Sequence, residues 1–343
     1  MKSLLYFYAL AATLAVLILS DCSRKPTALG SDYDIRVLAD STVWNQTEGP
    51  LRAIFEKVEY TPQKELVFTL LKGDVSNYKR FKNLIFLSTL ESAGEISRSV
   101  NANLSASARA EINAGNIMFV QKGNWAQDQI VMFLIGKDIN TLLARIDEQQ
   151  SEIFNQFDNH WNAFHEQILY KHQDQVDVEN HLIATYGWSI RVPADYKLDA
   201  QSAGDRFVMF HRPLPPRWFA VYWVEEADST LINRDWCIQQ RNRIGEKFYD
   251  REIVEVRWDD VQSEQVIFLN RRALKLKGLW KTPDNSTDPA GGPFRLYCFY
   301  DEKQKRIYFI DFHLFSPGLQ RLKLHYLRQM EIIANTFRTR LDG

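Results

Sequence analysis

The most legible chemistry in this sequence belongs to one thiol. Cys22 follows an uncharged run from Leu4 to Leu19 and the short pair Ser20-Asp21, with Lys2 ahead of the run. A positive start, an apolar stretch and a cysteine at its end form the pattern of a secretory signal processed at that cysteine. Residues 1–21 are therefore read as a signal peptide, and Cys22 as the lipidation site at which the mature chain is tied to a membrane. The run is shorter than the about 20 apolar residues of a free-standing span. Asp21 departs from the small residue expected beside such a cysteine, so ordinary signal-peptidase cleavage and an uncleaved anchor stay open as alternatives. By resemblance to lipoprotein sorting rules, Ser23 as the next residue suggests the outer membrane.

The two remaining cysteines, Cys237 and Cys298, would then lie in an oxidising compartment. They either pair as one disulfide or stay as two buried thiols, because sequence does not give their separation. Trp236, Tyr297 and Phe299 beside them favour burial. Another group with chemical potential is the polar loop between Thr282 and Pro293. It carries Asp284, Asn285 and Asp288, is flanked by Trp280 and Phe294, and contains Gly291 and Gly292, whose backbones reach shapes closed to other residues. Loops held by rigid strands often bind ligands, so these seven residues form the candidate ligand loop. A plain wide hairpin is the alternative.

Other chemistries are disfavoured. There is no Gly-x4-Gly-Lys-Ser/Thr phosphate loop, no Gly-x-Gly-x-x-Gly and no Gly-x-Ser-x-Gly. His165-Glu166 begins like a zinc-protease helix, but Leu169 stands where the second histidine should be. His165 and His172 would share a face of a polar helix and are read as solvated. Adjacent Asp259 and Asp260 would point opposite ways on a strand and suit a turn better than a shared proton. Lys275 and Lys277 fall on one strand face, read as solvated, with phosphate head groups as the alternative contact. No metal and no cofactor are expected, and catalytic residues stay unassigned.

Composition sets the frame. Lys+Arg number 42 and Asp+Glu 43, a net charge of -1, which supplies no field for nucleic acid or anionic lipid. Trp 9, Tyr 14 and Phe 21 either fill large cores or offer platforms for glycan or peptide.

The elements that position these residues follow from periodicity. Residues 22–32 read as a short tether. In 33–137, strands at Tyr33 to Leu38, Glu65 to Leu71, Leu84 to Leu87, Ile117 to Val120 and Gln129 to Ile135 interleave with helices. One of these is expected to start at Pro50, and another covers Ser105 to Ala114. This is an N-terminal mixed α/β layer. Residues 138–177 read as a long helical connector, either continuous over about 50 Å or broken near Gln149-Gln150. A coiled-coil dimer through this seam is the sharper alternative to a scaffold helix. In 178–343, a helix to Tyr186, strands at Trp188 to Val192, Phe207 to Phe210 and Phe219 to Val224, and a helix from Ile232 to a stop at Gly245 come first. The hairpin Val266 to Leu269 with Arg272 to Trp280, strands Arg295 to Tyr300 and Arg306 to Phe312, and an amphipathic last helix follow. Pro213, Pro215 and Pro216 are read as a rigid loop between strands. The C-terminal part is thus an antiparallel sheet covered by helices, and the fold class is α+β.

One set of residues carries a resemblance. Asp34-Ile35-Arg36-Val37-Leu38-Ala39-Asp40 is followed by Trp44, Gly49-Pro50-Leu51-Arg52, Phe55, Pro62-Gln63 and Lys82-Asn83-Leu84-Ile85. Tyr186-Gly187-Trp188, Gly278-Leu279-Trp280 and Gly291-Gly292-Pro293-Phe294 come later. From about Gly30 to Phe337 the chain resembles an uncharacterised family of Bacteroidetes lipoproteins that carries a domain of unknown function. The resemblance implies location and architecture and transfers no catalytic residue.

The expected function is a membrane-anchored cell-envelope lipoprotein acting as a binding or structural module. An envelope enzyme working on glycan or peptide through the 282–293 loop is the alternative. Expected partners are the membrane, through the lipid, and an envelope protein or glycan, with no nucleic acid; the oligomeric state stays open.

Overall fold

A computed structural model describes residues 25–256, 261–318 and 322–342. The signal, Cys22 and the pair Asp259-Asp260 lie outside the described residues. The chain forms two compact units, one of Met1–Lys57 with Phe68–Trp161, the other of Val58–Val67 with Asn162–Gly343.

The first unit is built on β1 (Asp34–Ala39). Helix α1 (Ser41–Phe55) follows at once. It starts nine residues before Pro50, which lies inside it, so the expected first-turn proline is corrected. Its buried face, Val43, Trp44, Thr47, Leu51, Ile54 and Phe55, has helical spacing throughout. The Asp40 carboxylate does not cap α1. It accepts the amides of Ile96 and Ser97, 3.0 Å each, at the start of another helix. The chain then visits the second unit as a hairpin, β2 (Val58–Tyr60) and β3 (Lys64–Leu66). It returns with β4 (Thr69–Lys72), β5 (Asn83–Thr89), α2 (Glu95–Ala102), α3 (Ala106–Asn113), β6 (Met118–Lys122) and β7 (Ile130–Gly136). The sheet order is β4-β1-β5-β7-β6, parallel except for the edge strand β6, which pairs antiparallel with β7. β5 (NLIFLST) is buried along its whole length and β7 (IVMFLIG) nearly so, the continuous apolar composition of strands covered on both faces.

The helical stretch is broken as its glutamines indicated. α4 (Ile139–Glu148) and α5 (Gln150–Leu169) meet at Gln149, and α6 (Val176–Tyr186) is separate. The unit boundary falls within α5. In the first unit the apolar seam is used by the chain itself: Phe55, Phe68 and Phe157 pack edge-to-face at 5.3 to 6.5 Å. Further along α5, His165 is buried, which corrects its solvated reading, and Ile168 is exposed. His165 Nδ1 lies 3.3 Å from Gln329 Nε2, and its ring meets His325 edge-on at 4.5 Å.

The second unit continues with β8 (Trp188–Ser189), β9 (Lys197–Ser202), β10 (Phe207–Pro213) and β11 (Pro216–Glu225). Then come α7 (Arg234–Phe248), β12 (Ile253–Val254), β13 (Gln262–Phe268), β14 (Arg271–Lys281), β15 (Gly291–Asp301), β16 (Arg306–Leu314), α8 (Lys323–Ala334) and β17 (Arg338–Thr339). An eight-stranded antiparallel sheet runs β12-β14-β15-β16-β11-β10-β9, with β13 also on β14. The class is α+β. Pro213 and Pro216 pair across the β10–β11 hairpin, so the prolines close a tight turn and do not span an open loop. Gly245 does not end α7. It lies inside the helix, at a place where a Cβ would come within 2.1 Å of the Glu252 carbonyl oxygen. α8 is buried almost all round, including Arg328 and Gln329, in place of the expected amphipathic pattern.

Candidate functional site

The β14–β15 hairpin carries the sequence's candidate loop at one end and the cleft of the second unit at the other. Trp280 and Phe294 both face inward. The Trp280 indole donates to the Leu314 carbonyl at 3.3 Å, and a Cβ on Gly292 would come within 2.2 Å of that same oxygen. Gly292 is therefore fixed by close approach of two backbones. The loop is closed by Thr282 N to Ala290 O at 2.9 Å and Ala290 N to Thr282 Oγ1 at 3.0 Å. Asp284 reaches back to Lys281 at 2.7 Å, while Asn285 and Asp288 are exposed. Gly291 opens β15 where a Cβ would come within 2.8 Å of the Trp280 carbonyl oxygen. The seven candidate residues thus divide into two buried anchors, two packing glycines and three surface polar groups. Among the described residues no group of three or more His, Cys, Asp or Glu is placed to hold a metal ion.

The cleft, of about 950 Å³, lies at the opposite end of the hairpin, around Leu269 to Leu274 and Tyr300 to Lys303. It begins where β13 turns into β14. Leu269 and Asn270 both take positive φ, 48° and 62°, as a two-residue hairpin turn demands. Arg271 is the organising residue. Its Nε and Nη2 bond Asp301 Oδ2 at 3.1 and 2.7 Å, and Nη2 also holds Asp342. Asp301 Oδ1 accepts the Gln304 amide at 2.9 Å, and Asp342 Oδ2 accepts the Thr339 amide at 2.7 Å. Burial would raise the Asp342 carboxyl, but the Thr339 amide and Arg271 hold it below the usual range. One guanidinium therefore ties the segment after α8 to the end of the sheet. Ile232, Tyr300 and Phe337 supply apolar surface. Arg272, Arg338 and Glu302 stand exposed at the rim, so the cleft offers both signs of charge.

Two ionic centres lie under the two faces of the sheet. Between the sheet and α7, the fully buried Arg241 places Nε 3.3 Å from Asp311 Oδ1, with Glu252 Oε2 3.9 Å from Nη2 and 3.7 Å from His313 Nε2. Phe294 lies 4.2 Å below the guanidinium, and Trp280 meets the His313 ring edge-on at 5.7 Å. Burial pushes the Glu252 carboxyl up to about 8, against the pull of Arg241. Burial also raises Asp311, and burial with the Arg241 charge drives His313 well below its usual value. At neutral pH Glu252 is thus mostly protonated beside the Arg241 cation.

On the α8 face, Glu331 joins Lys275 and Arg295 at 2.6 Å each and accepts the Tyr297 hydroxyl at 2.8 Å. Glu59 on the β2–β3 hairpin takes Lys277 at 2.9 Å and Arg295 at 3.3 Å. Burial would raise Glu331, yet Arg295 and Lys275 hold it down to about 2. Lys275 and Lys277 are therefore internal counter-ions, which corrects both the solvated face and the phosphate alternative. Arg271, Asp301, Arg241, Asp311 and Glu331 were not singled out from sequence. The available signal was single charges inside apolar strand runs, Arg295 in PFRLYCF and Asp311 in IYFIDFHL.

Residues 175–336 match the family described as Domain of unknown function (DUF4837). Residues 28–169 match a second, Domain of unknown function (DUF8532). The two matches follow one another along the chain. No curated protein matches it. Among solved structures, a chain from Bacteroides thetaiotaomicron is 13% identical over 46% of each chain, with a TM-score of 0.28. The Ran-binding protein Mog1p of Saccharomyces cerevisiae is 9% identical over 46% of this chain and 93% of its own, at 0.32. LpqN of Mycobacterium tuberculosis, described as involved in cell envelope biogenesis, is 10% identical over 44% and 81%, at 0.28. The chain spans less than half of the Bacteroides chain, and at these scores none of the three assigns an activity. Among the described residues no helix is long and apolar enough to cross a membrane.

Proposed function

We propose that this protein is a lipid-anchored binding module of the cell envelope, tethered through Cys22 to the outer membrane, that takes a protein partner in the cleft organised by Arg271. The anchor reading is supported by the signal pattern ending at Cys22 and by the resemblance to Bacteroidetes lipoproteins. The cleft carries the binding half. It combines apolar surface from Ile232, Tyr300 and Phe337 with exposed charges of both signs at Arg272, Arg338 and Glu302. That combination suits a peptide segment, whose side chains alternate in polarity and charge.

A glycan is less well served. Sugar platforms need exposed aromatic faces, and among the described residues no tryptophan is exposed; the exposed aromatic is Tyr60 on the β2–β3 hairpin. The acids of the 282–290 loop remain separate on the surface, so geometry gives no support to hydrolysis there.

Crosslinking in intact envelope tests the binding half. A partner captured by the wild type is expected to be lost from Arg272→Glu/Arg338→Glu and kept by Asp284→Asn/Asp288→Asn. Equal capture by both double variants overturns the cleft as the site.

A further inference from the structure

We propose that Cys237 and Cys298 form a disulfide that fastens α7 to the central strand β15. Cys298 stands in a row across the sheet, Leu274-Cys298-Phe309-Tyr222-Phe207, all facing α7. Cys237 is on the buried side of the first turn of α7, beside Trp236, whose ring lies 5.3 Å from Phe309. Both thiols are fully buried in one hydrophobic cluster. The structure records them as free, yet side by side: the Cys237 side chain is within hydrogen-bonding reach of Cys298, and both thiols lie close to Tyr222. Helix and strand thus bring together two residues 61 positions apart in sequence.

The chemistry needs an external disulfide as oxidant, a protein dithiol–disulfide or a small-molecule one. One cysteine thiolate attacks it, forming a mixed disulfide and releasing one donor thiolate. The second cysteine thiolate attacks its partner's sulfur, forming the Cys237–Cys298 bond and releasing the other donor thiolate. Two protons leave the protein, its two thiols are oxidised, and the donor disulfide is reduced to two thiols. Burial raises the Cys298 thiol well above its usual value, so the folded Cys298 is a poor nucleophile. Exchange therefore belongs to the stage before α7 seats on the sheet. That the bond forms in the cell rests on the envelope reading above; that the pair is built to close does not.

The test is to refold the full chain from denaturant in an oxidised and reduced glutathione buffer, trap remaining thiols with an alkylating agent under denaturing conditions, and map the peptides. The expected result is one crosslinked species joining the peptides of Cys237 and Cys298, two hydrogens lighter than their sum, with both residues alkylated only after reduction. Alkylation of both without reductant, or pairing of either with Cys22, overturns the proposal. The same map on chain taken from the cell envelope separates the two claims: a bridge that forms on refolding but is absent in the cell contradicts the oxidising compartment, not the pairing.

Discussion

Replacing Glu252 with Gln is expected to make the protein more stable at alkaline pH and to flatten its pH profile. Glu252 is pushed from the usual 4.5 up to about 8 by burial, with the Asp311 and Asp250 charges adding to the rise and Arg241 opposing it. The folded state then holds a proton that the unfolded chain has lost, so stability falls as pH rises between those two values and levels off above the higher one. At about 1.36 kcal/mol per pH unit, the stretch from 4.5 to about 8 amounts to about 5 kcal/mol. Gln copies the shape of the protonated acid and cannot ionise. Urea unfolding of wild type and Glu252→Gln, followed by circular dichroism from pH 5 to 8.5, measures the difference. The two should be nearly equal near pH 5, and the variant should lead by several kcal/mol near pH 8. Parallel profiles would refute the argument, because they would mean that Glu252 is ionised in the fold throughout.

Glu331 has the opposite sign. Held down to about 2 by Arg295 and Lys275, it contributes stability above pH 4.5 that is lost as pH falls toward 2, about 3 kcal/mol in all; Glu331→Gln should lose about that much at pH 7 and shift the acid limb of the unfolding curve upward in pH. Gly292→Ala pushes a methyl into the Leu314 carbonyl and should cost about 1–3 kcal/mol, read as a lower midpoint in thermal unfolding. Asp40→Ala strips the start of α2 of two amide acceptors and should cost about 0.5–2 kcal/mol, with faster amide exchange at Ile96 and Ser97. Arg271→Ala releases Asp301 and Asp342 together, so limited proteolysis should cut the segment after α8 faster than in the wild type.

The apolar strands were readable from sequence because their composition is local: β5, β7, β15 and β16 are runs that only a buried sheet accommodates. The break at Gln149 was visible as a lost seam. Pro50 and Gly245 misled for a common reason. Each is a helix-boundary residue by propensity yet lies inside a helix here, and at Gly245 the Glu252 carbonyl leaves no room for a side chain. The charged centres were not legible because their partners are far apart in sequence. Glu59 finds Arg295 across 236 positions, and Arg241 finds Asp311 across 70. Lys275 and Lys277 look like a solvated stripe until α8 and the β2–β3 hairpin supply carboxylates. The loop was recognised as a loop, but its aromatic flanks turned out to be anchors, and the cleft lies about 30 Å away along the same hairpin.

The central claim is that this chain works from a lipid anchor. Mass spectrometry of the mature N-terminal peptide, from cells making the wild type and Cys22→Ala, tests it most directly. The account predicts a wild-type chain that begins at Cys22 with the mass of its acyl chains added, and a Cys22→Ala chain that leaves the membrane fraction. A wild-type N-terminus that is unacylated, or a Cys22→Ala chain that stays with the membrane, would contradict it.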